Sequence, residues 1–267
     1  MLKGKTALVT GSTRGLGAAA AAAFAGAGCN VMLNGFGDAA AIERQRAALA
    51  EEHRVTVGYH GADLAKLAEV EALFKAAEDL KGAVDILVNN AVIRHFSSID
   101  DFAPAEWDRA LAVNLSAPFH LTRLALPGMR KRGWGRIINI SSVLGIGARS
   151  GRVDYVTTKT ALLGLTRATA AETRGAGNIT CNAICPGSVL TPNTEIKIAE
   201  LAKAEGLPPD AARREYLKRR KQPGDFIAPV RIAELMLFLC RDEAHDMNGG
   251  ALPIDSGRSA SWLEEDK

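Results

Sequence analysis

The sequence has few cysteines and no long apolar run, and both absences exclude whole classes of protein. Its four cysteines, Cys29, Cys181, Cys185 and Cys240, form no CxxC pair and have no histidines at zinc-ligand spacing, so we expect no metal site. Reduced, buried thiols are the state we expect for them. No stretch approaches the roughly 18 consecutive apolar residues that a transmembrane helix requires.

The sequence also lacks a secretory signal and a strong imbalance of charge. The opening MLKGKTALVTGS has an apolar run too short for a signal peptide, and no cleavage pattern follows it. We therefore expect a cytoplasmic protein that does not bind membranes. The formal net charge of +3 over 267 residues argues against a chain-wide nucleic-acid surface.

What the sequence does contain is a regular alternation of short apolar runs and helical segments. Runs that predict strands occupy residues 6–10, 30–34, 55–60, 85–90, 136–141, 179–185 and 251–255. Most of these runs are continuously apolar, which is typical of a parallel sheet covered on both faces. The pattern predicts a single α/β domain over residues 1–267, with a Rossmann-like, doubly wound parallel sheet of about seven strands and helices on both faces.

One segment departs from this alternation. Residues 193–224 resemble two short helices that are broken at Gly206, Pro208 and Pro209. Because so long a connection within a compact domain often covers a site, we expect a helical substrate lid here. The basic run from Arg213 to Lys221 favours a solvated helix face, with an anionic partner as the alternative.

The loop TGSTRGLG, residues 10–17, joins the first strand to the first helix. Its glycines, Gly11, Gly15 and Gly17, permit a tight turn and a close backbone approach to a pyrophosphate. Amides at the start of the following helix can then bind the anion. The strand–turn–helix context favours a dinucleotide site over a glycine-rich turn without a ligand.

The end of the second strand bears on which dinucleotide binds. An acidic residue there would bind the ribose hydroxyls, but Asn34, Gly35 and Phe36 occupy that place. Arg14 could pair with the 2′-phosphate of NADP. No second base stands nearby, and the bulky Phe36 would crowd a phosphate. The sequence therefore favours NAD and leaves NADP open.

A tyrosine and a lysine, Tyr155 and Lys159, lie four residues apart on one face of a predicted helix. Such pairs are common and carry little information alone. Here, however, Ser142 ends the preceding strand, and Asn90 and Gly11 would reach the same carboxyl edge of the sheet. Ligands of doubly wound sheets bind at that edge.

Taken together, these motifs resemble the short-chain dehydrogenase/reductase family from end to end. The motifs are TGSTRGLG, NNAV at 89–92, Asn114, Ser142, YVTTK at 155–159 and PGSVLTP at 186–192. Val92 and Ser256 depart from the family pattern, because each stands where the family usually has glycine. The resemblance implies an enzyme that transfers hydride between a nicotinamide dinucleotide and a secondary alcohol or ketone.

The resemblance also implies a role for each site residue. Tyr155 would be the general acid/base, and Lys159 would lower its pKa and bind the nicotinamide ribose. Ser142 would polarise the substrate oxygen, and Asn114 would position a proton-relaying water. Asp63 would contact the adenine, with a turn or helix cap as the alternative. The implied cofactor-binding residues are Gly11, Thr13, Arg14, Gly15, Leu16, Gly17, Phe36, Asp63, Leu64, Asn90, Ala91, Tyr155, Lys159, Pro186, Gly187, Val189 and Thr191.

A narrower resemblance is to the bacterial D-3-hydroxybutyrate dehydrogenases, through LNGFGDAA, GADL, GRIINIS and NAICPG. That group oxidises D-3-hydroxybutyrate to acetoacetate with NAD. It binds the carboxylate with glutamine, histidine, lysine and glutamine, where this chain has Arg94, Leu144, Arg152 and Lys197. Three of these four residues are cationic, which preserves anion binding. The implied substrate residues are Arg94, Ser142, Leu144, Arg152, Tyr155 and Lys197.

Several alternatives remain open from the sequence. Ser188 stands where that group usually has tryptophan, which would enlarge the pocket for a longer or more highly charged acid. Arg94 and Arg152 could instead serve surface solubility. The chain could also be a reductase of 3-ketoacyl thioesters or sugar alcohols, or a non-catalytic dinucleotide-binding regulator, although the complete catalytic set argues against a regulator. The family further implies a homotetramer.

Overall fold

The apolar runs form one parallel sheet of seven strands. The structure, a computed structural model, describes residues 2–260, whereas Met1 and residues 261–267 of the predicted domain lie outside the described residues. The strands are β1 (Thr6–Val9), β2 (Asn30–Asn34), β3 (Val57–His60), β4 (Ile86–Asn89), β5 (Trp134–Ile140), β6 (Asn178–Pro186) and β7 (Ala251–Ile254). Every neighbouring pair is parallel, in the order β3-β2-β1-β4-β5-β6-β7. The predicted doubly wound sheet is confirmed.

Helices connect these strands and cover both faces of the sheet. The helices are α1 (Gly15–Gly26), α2 (Ala39–His53), α3 (Leu67–Lys81), α4 (Pro104–Leu111), α5 (Ala117–Arg132), α6 (Val153–Glu172), α7 (Pro192–Glu205), α8 (Pro209–Lys218) and α9 (Pro229–Leu239). A π-helical turn (Ala112–Ser116) joins α4 to α5, and a 3-10 turn (Val143–Gly145) follows β5. None of the described helices is long and apolar enough to cross a bilayer.

Two apolar layers hold these helices on the sheet. On one face, α1 and α9 pack against β1 and β2, with Phe24, Leu33 and Met236 fully or almost fully buried. On the other face, α3 and α5 bury Leu73 and Leu121 against β1 and β4. The alanine-rich sequence of α1 allows a close approach to α9 and the strands. All four cysteines are buried and none forms a disulfide, as predicted.

The strand order leaves a crevice at the carboxyl edge of the sheet. The chain runs outward from β1 to β3 and then returns to β4, which lies on the other side of β1. Connections leave β1 and β4 in opposite directions, so the space between their ends stays open. Hydrogen bonds close the bottom of this crevice, because the backbone amides of Asn90 and Ala91 donate to Thr10 Oγ1 (2.9 and 3.0 Å).

The segment 193–224 contains two helices broken where the sequence predicted. Gly206 ends α7 in a left-handed conformation (φ 64°), and α8 begins at Pro209, whose missing amide proton costs nothing at a helix start. Thr191 caps the start of α7, because its side chain accepts a hydrogen bond from the Thr194 amide. The helices α7 and α8 therefore form a hairpin after β6. Its function as a lid stays a prediction.

The sequence departure at Ser256 coincides with a strained backbone. Ser256 has φ 60°, in the left-handed region, and Gly257 follows with φ 81°. A non-glycine residue in this conformation costs about 1–2 kcal/mol, of which the greater chain entropy of glycine would offset about 0.5–1 kcal/mol.

We expect Ser256→Gly to stabilise the protein by about 0.5–1 kcal/mol and to raise Tm by about 1–4 °C in thermal unfolding. The matched control is Ser259→Gly, because Ser259 is in a 3-10 turn without positive φ. That control is expected to lower Tm. Equal losses of Tm in both variants would contradict the strain at Ser256.

Candidate active site

The crevice forms a cavity of about 640 Å³ that extends from the glycine loop to the α7–α8 hairpin. All of the residues predicted to bind cofactor or substrate line it. Of the predicted catalytic set, Ser142, Tyr155 and Lys159 line the cavity, whereas Asn114 does not. The topology thus brings together residues from β1, β4, β5, α6, β6 and α7.

The glycine loop has the geometry of an anion cradle. Gly11 and Gly15 have φ of 63° and 58°, so both need the freedom of glycine. A Cβ at Gly17 would collide with the Gly11 carbonyl oxygen and lie 2.6 Å from Asn90 Nδ2. No side chain caps α1, and its first turn has no acidic residue. The amides of this helix start therefore suit a pyrophosphate.

Two asparagines hold the glycine loop in place. Asn90 Nδ2 donates to the carbonyls of Thr10 (2.8 Å) and Gly11 (3.0 Å). Asn34 Oδ1 accepts from the Gly11 amide (3.3 Å), and its Nδ2 donates to the carbonyl of Ala62 (3.2 Å). The sequence indicated Asn34 only as the place of a missing acid. Its structural role depends on the β2–β3 pairing, which no local pattern reveals.

At the adenosine end, the described residues place one acid and two bases on the cavity. Asp63 accepts from both guanidinium nitrogens of Arg109 (3.2 and 3.3 Å) and from the Ala65 amide (3.1 Å). The Ala65 amide and the Arg109 charge lower the pKa of Asp63. Asp63 therefore lines the cavity, as predicted. It also closes a turn, which was the alternative role expected from the sequence. The second base, Arg14, is exposed, and sequence reasoning missed Arg109.

Helix α6 is fixed against the end of β5 by its lysine. Lys159 is 2% exposed, and its Nζ donates to the Ile140 carbonyl at 2.6 Å. Ser141 Oγ donates in turn to the Lys159 carbonyl (2.8 Å). A Cβ at Gly145 would lie 2.7 Å from the same carbonyl, so glycine permits this contact. Burial, with a smaller contribution from the Arg94 charge, lowers the pKa of Lys159 to about 7.

The two candidate catalytic residues that carry hydroxyls, Ser142 and Tyr155, line the same cavity. Tyr155 lies one turn before Lys159, whose Nζ is 5.8 Å from the centroid of the tyrosine ring. Ser142 Oγ accepts from the Leu144 amide at 3.1 Å. Because this bond uses a lone pair, the serine proton is free to donate to an oxygen bound in the cavity. The geometry can therefore present two hydroxyls to one oxygen atom.

A buried aspartate next to the tyrosine anchors the loop after β4. Asp154 is completely buried and accepts from the amide (3.0 Å) and Nδ1 (3.0 Å) of His95. Its other oxygen accepts from the Tyr155 amide at 2.6 Å. Asp154 thus fixes the start of α6 to the loop that carries Arg94. Sequence reasoning missed it, because an acid at a helix start is common and its partner is distant in the chain.

Asn114 holds the same loop from behind the cavity. It is 1% exposed, and its amide group exchanges two hydrogen bonds with the Ile93 backbone, both at 2.9 Å. Its Nδ2 also donates to Thr158 Oγ1 on α6 (3.2 Å). The side chain lies in a π-helical turn, a distortion that is frequent at functional sites. That Asn114 positions a proton-relaying water stays a prediction.

The substrate end of the cavity contains a buried guanidinium. Arg152 is 7% exposed and stacks between two rings, with Cζ 4.1 Å from the Phe96 centroid and 4.7 Å from that of Tyr155. Its Nε has no hydrogen-bond partner among the described residues. Burial lowers the pKa of Arg152 to about 10. A buried cation without a carboxylate requires an anion from elsewhere.

Other cations surround this guanidinium. Lys197 Nζ lies 4.5 Å from the centroid of the Phe96 ring, and Arg94 is exposed on the cavity wall. Leu144, which is 9% exposed, contributes an apolar surface to the wall. Three arginines that sequence reasoning missed complete this end of the cavity, namely Arg149, Arg220 and Arg258.

The basic run at 213–221 only partly forms the solvated face that the sequence predicted. Arg213 and Arg219 do form surface ion pairs, with Asp225 (2.8 Å) and Glu205 (2.7 Å). Arg220, however, lines the cavity and stacks 3.7 Å from the Tyr216 ring centroid. The prediction is wrong for Arg220, because it lies in the turn after α8, where its guanidinium stacks on Tyr216 and lines the cavity.

This fold and cavity define a class of protein, the oxidoreductases that bind a nicotinamide dinucleotide at the switch point of a parallel sheet. The chain belongs to the short-chain dehydrogenase family, whose model matches residues 5–201. The family predicted from the sequence motifs is thereby confirmed, and with it the enzyme class.

Three known proteins illustrate the similarity. The chain is 45% identical to a D-beta-hydroxybutyrate dehydrogenase from Cupriavidus necator, over 96% of this chain and 98% of that protein. It is 40% identical to a D-beta-hydroxybutyrate dehydrogenase from Rhizobium meliloti, over 96% and 99%. The crystal structure of L-sorbose reductase from Gluconobacter frateurii, complexed with NADPH and L-sorbose, matches with a TM-score of 0.90, 30% identity, and coverage of 96% and 97%. Together with the cradle, these findings support a dinucleotide cofactor.

The buried position of Lys159 predicts a specific dependence of stability on pH. Its folded-state pKa of about 7 lies below the ordinary value of 10.5. Between these two values the unfolded chain binds more protons, so the free energy of unfolding rises with pH, by up to about 1.4 kcal/mol per unit.

We expect the free energy of unfolding of wild type, relative to that of Lys159→Met, to rise by about 2 kcal/mol between pH 7 and pH 9 in urea denaturation. The exposed Lys218 on α8 provides a matched control, and Lys218→Met should leave the pH profile parallel to that of wild type. A parallel profile for Lys159→Met as well would show that Lys159 stays charged in the native protein.

Proposed function

We propose that the protein oxidises (R)-3-hydroxybutyrate, or a related 3-hydroxy acid, to the 3-keto acid with NAD. The observation that carries this proposal is Arg152, a buried and unpaired guanidinium in contact with the Tyr155 ring. In a 3-hydroxy acid the carboxylate is two carbons from the carbinol. A substrate whose hydroxyl bonds to Tyr155 would therefore bring its carboxylate near Arg152. The relatives named D-beta-hydroxybutyrate dehydrogenases support this substrate class.

In this proposal two hydroxyls act on the substrate oxygen. The Tyr155 phenolate accepts the proton of the substrate hydroxyl during oxidation and returns it during reduction. Ser142 donates a hydrogen bond to the same oxygen, which stabilises the charge that develops there. A bound nicotinamide ring would accept the hydride from the carbinol carbon and return it in the reverse direction.

Two cationic side chains lie close to the tyrosine ring. Lys159 Nζ is 5.8 Å and Arg152 Cζ 4.7 Å from its centroid. Since both cations are buried, solvent screens them poorly. Lys159, with a pKa of about 7, can also take up or release a proton near neutral pH. We propose that Asn114 positions this set through the Ile93 and Thr158 contacts.

The alternative substrates fit the cavity less well. A 3-ketoacyl thioester or a sugar alcohol would present uncharged groups to Arg152 and leave the guanidinium buried without a counter-ion. Breaking or omitting the partner of a buried charge costs several kcal/mol, about 3–5 in measured pairs. A non-catalytic regulator would not need two hydroxyls and two cations on one cavity wall.

The residues at the adenosine end favour NAD in this proposal. Phe36 follows β2 and is 60% exposed, and its carbonyl accepts from Thr13 Oγ1 at 3.1 Å. Arg14 is the cation of the glycine loop that a 2′-phosphate could reach, and no base follows β2 at Asn34, Gly35 or Phe36. Since Arg109 is already paired with Asp63, NADP would gain a single ion pair at an exposed site, and such a pair is weak.

Assembly as a homotetramer and a cytoplasmic location belong to the same proposal. Apolar side chains are exposed on two helices, with Phe119 on α5 (48% exposed) and Val230 on α9 (57% exposed). Exposed apolar side chains of this size are consistent with contacts between copies of the chain.

We expect Tyr155→Phe to reduce kcat for 3-hydroxybutyrate oxidation by about 100-fold or more, the usual contribution of a general base. The dissociation constant for NADH, measured by fluorescence, should change little, because the ring and its stacking remain. Near-normal turnover in this variant would remove Tyr155 from the proposed role. Loss of NADH binding together with turnover would indicate a structural effect instead.

We expect kcat/KM with NAD to exceed that with NADP by about tenfold or more in wild type, because the 2′-phosphate would lose solvation at a site where the exposed Arg14 is its counter-charge. Phe36→Arg should raise kcat/KM with NADP, since it supplies a second base for the 2′-phosphate. Phe36→Gln removes the ring without adding charge and is the matched control. A wild-type preference for NADP would contradict the cofactor proposal.

A further inference from the structure

The outer end of the cavity is lined by arginines from four separate parts of the chain. Arg94 comes from the loop after β4, Arg149 from the loop after β5, Arg220 from the end of α8 and Arg258 from the turn after β7. We call these four the outer arginines. Among the described lining residues the acid is Asp63, which lies at the adenosine end and is paired with Arg109.

The outer arginines act on one another as like charges. Burial has the largest effect and lowers the pKa of Arg220; Tyr216 opposes it, and the charges of Arg149, Arg94 and Arg258 lower it further. Burial and then the Arg149 charge lower the pKa of Arg258, against a smaller opposing effect of Asp255. Four guanidinium groups gathered on one cavity wall repel each other, and a bound anion would relieve that repulsion.

Three of the outer arginines have no counter-ion among the described residues. No carboxylate of residues 2–260 lies within 4.0 Å of the guanidinium nitrogens of Arg94, Arg149 or Arg220. Their neighbours on α8 differ, because Arg213 pairs with Asp225, and Arg219 pairs with Glu205 and Glu215. Arg214, which is exposed on α8 and does not line the cavity, also forms no ion pair with the described residues, so Arg94, Arg149 and Arg220 are distinguished by their place on the cavity wall.

One carboxylate cannot pair with both Arg152 and the outer arginines. In the proposed function the substrate carboxylate binds Arg152, which is buried against the Tyr155 ring. Arg149 and Arg220 would then still have no anion. A thioester that carries phosphates at a distance would supply charge to the outer arginines, but its uncharged carbonyl would leave Arg152 unpaired.

We infer that the substrate is a dianionic 3-hydroxy acid, whose first carboxylate binds Arg152 and whose second anionic group binds Arg149 and Arg220. The inference rests on the proposed function and narrows its substrate class. The second group lies further along the carbon chain, toward the α7–α8 hairpin. Ser188, a small side chain on the cavity wall, leaves room for the longer chain.

The test compares a diacid with a matched molecule that lacks one charge. The probes are (R)-3-hydroxyadipate and its 6-methyl ester, with 3-hydroxyglutarate as a shorter diacid and (R)-3-hydroxybutyrate as the reference. Oxidation with NAD is followed as NADH absorbance. We expect kcat/KM for 3-hydroxyadipate to exceed that for its methyl ester by about tenfold or more, the contribution of one charge-assisted hydrogen bond. High salt should reduce this ratio.

Two variants and one control assign the effect to residues. Arg149→Gln and Arg220→Gln should each reduce the ratio of diacid to methyl ester by about fivefold or more, because each removes one charged contact of roughly 1 kcal/mol or more. The control Arg214→Gln removes an exposed charge from α8 and should leave the ratio unchanged.

The outcomes separate this inference from the proposed function. If 3-hydroxybutyrate is oxidised but neither diacid is favoured over the monoanionic methyl ester, the second anion site is overturned and the proposed function stands. If no 3-hydroxy acid is oxidised, the proposed function fails and the inference fails with it. A ratio that is high in wild type but unchanged in both variants would also overturn the assignment to Arg149 and Arg220.

Discussion

The contact between α6 and the end of β5 is the constraint on which the site depends. Lys159 reaches from the helix to the Ile140 carbonyl at 2.6 Å, and Ser141 returns a hydrogen bond to the helix. This pair of bonds sets the height and rotation of α6, so Tyr155 faces the same cavity as Ser142. The cost of burying the ammonium appears as a pKa near 7. The fold thus buries the Lys159 ammonium at an energetic cost, next to the tyrosine that is proposed to act as the general base.

The substrate end of the cavity also contains cations that have no carboxylate partner in the described chain. Arg152 lies between two aromatic rings with no carboxylate of the described chain beside it, and Arg149 and Arg220 line the wall further out. A folded protein rarely keeps a buried cation such as Arg152 without a partner, so its presence indicates an anionic ligand. In the proposed function the cations at this end favour an anionic substrate, and the hydroxyls of Ser142 and Tyr155 bind its alcohol or ketone oxygen.

The sequence was sufficient for the fold and for the residues that lie in motifs. Apolar runs and glycine spacing are local signals, so the sheet and the cradle around Gly17 could be predicted. Asp154 and Arg220 could not, because their roles depend on partners brought together only by the fold. Arg220 shows this most clearly, since the neighbouring Arg219 forms surface ion pairs, whereas Arg220 lies in the turn after α8 and lines the cavity. Asn114 stands at the position that the family's motifs predict, yet its side chain lies behind the cavity wall.

If Tyr155 and Ser142 both hold the substrate oxygen, the substrate carboxylate should reach Arg152. A crystal structure of the protein with NAD and acetoacetate would show whether it does. We expect the keto oxygen within hydrogen-bond distance of both Tyr155 Oη and Ser142 Oγ, with the carboxylate paired to the Arg152 guanidinium. A carboxylate bound away from Arg152, or a keto oxygen that contacts neither hydroxyl, would contradict it.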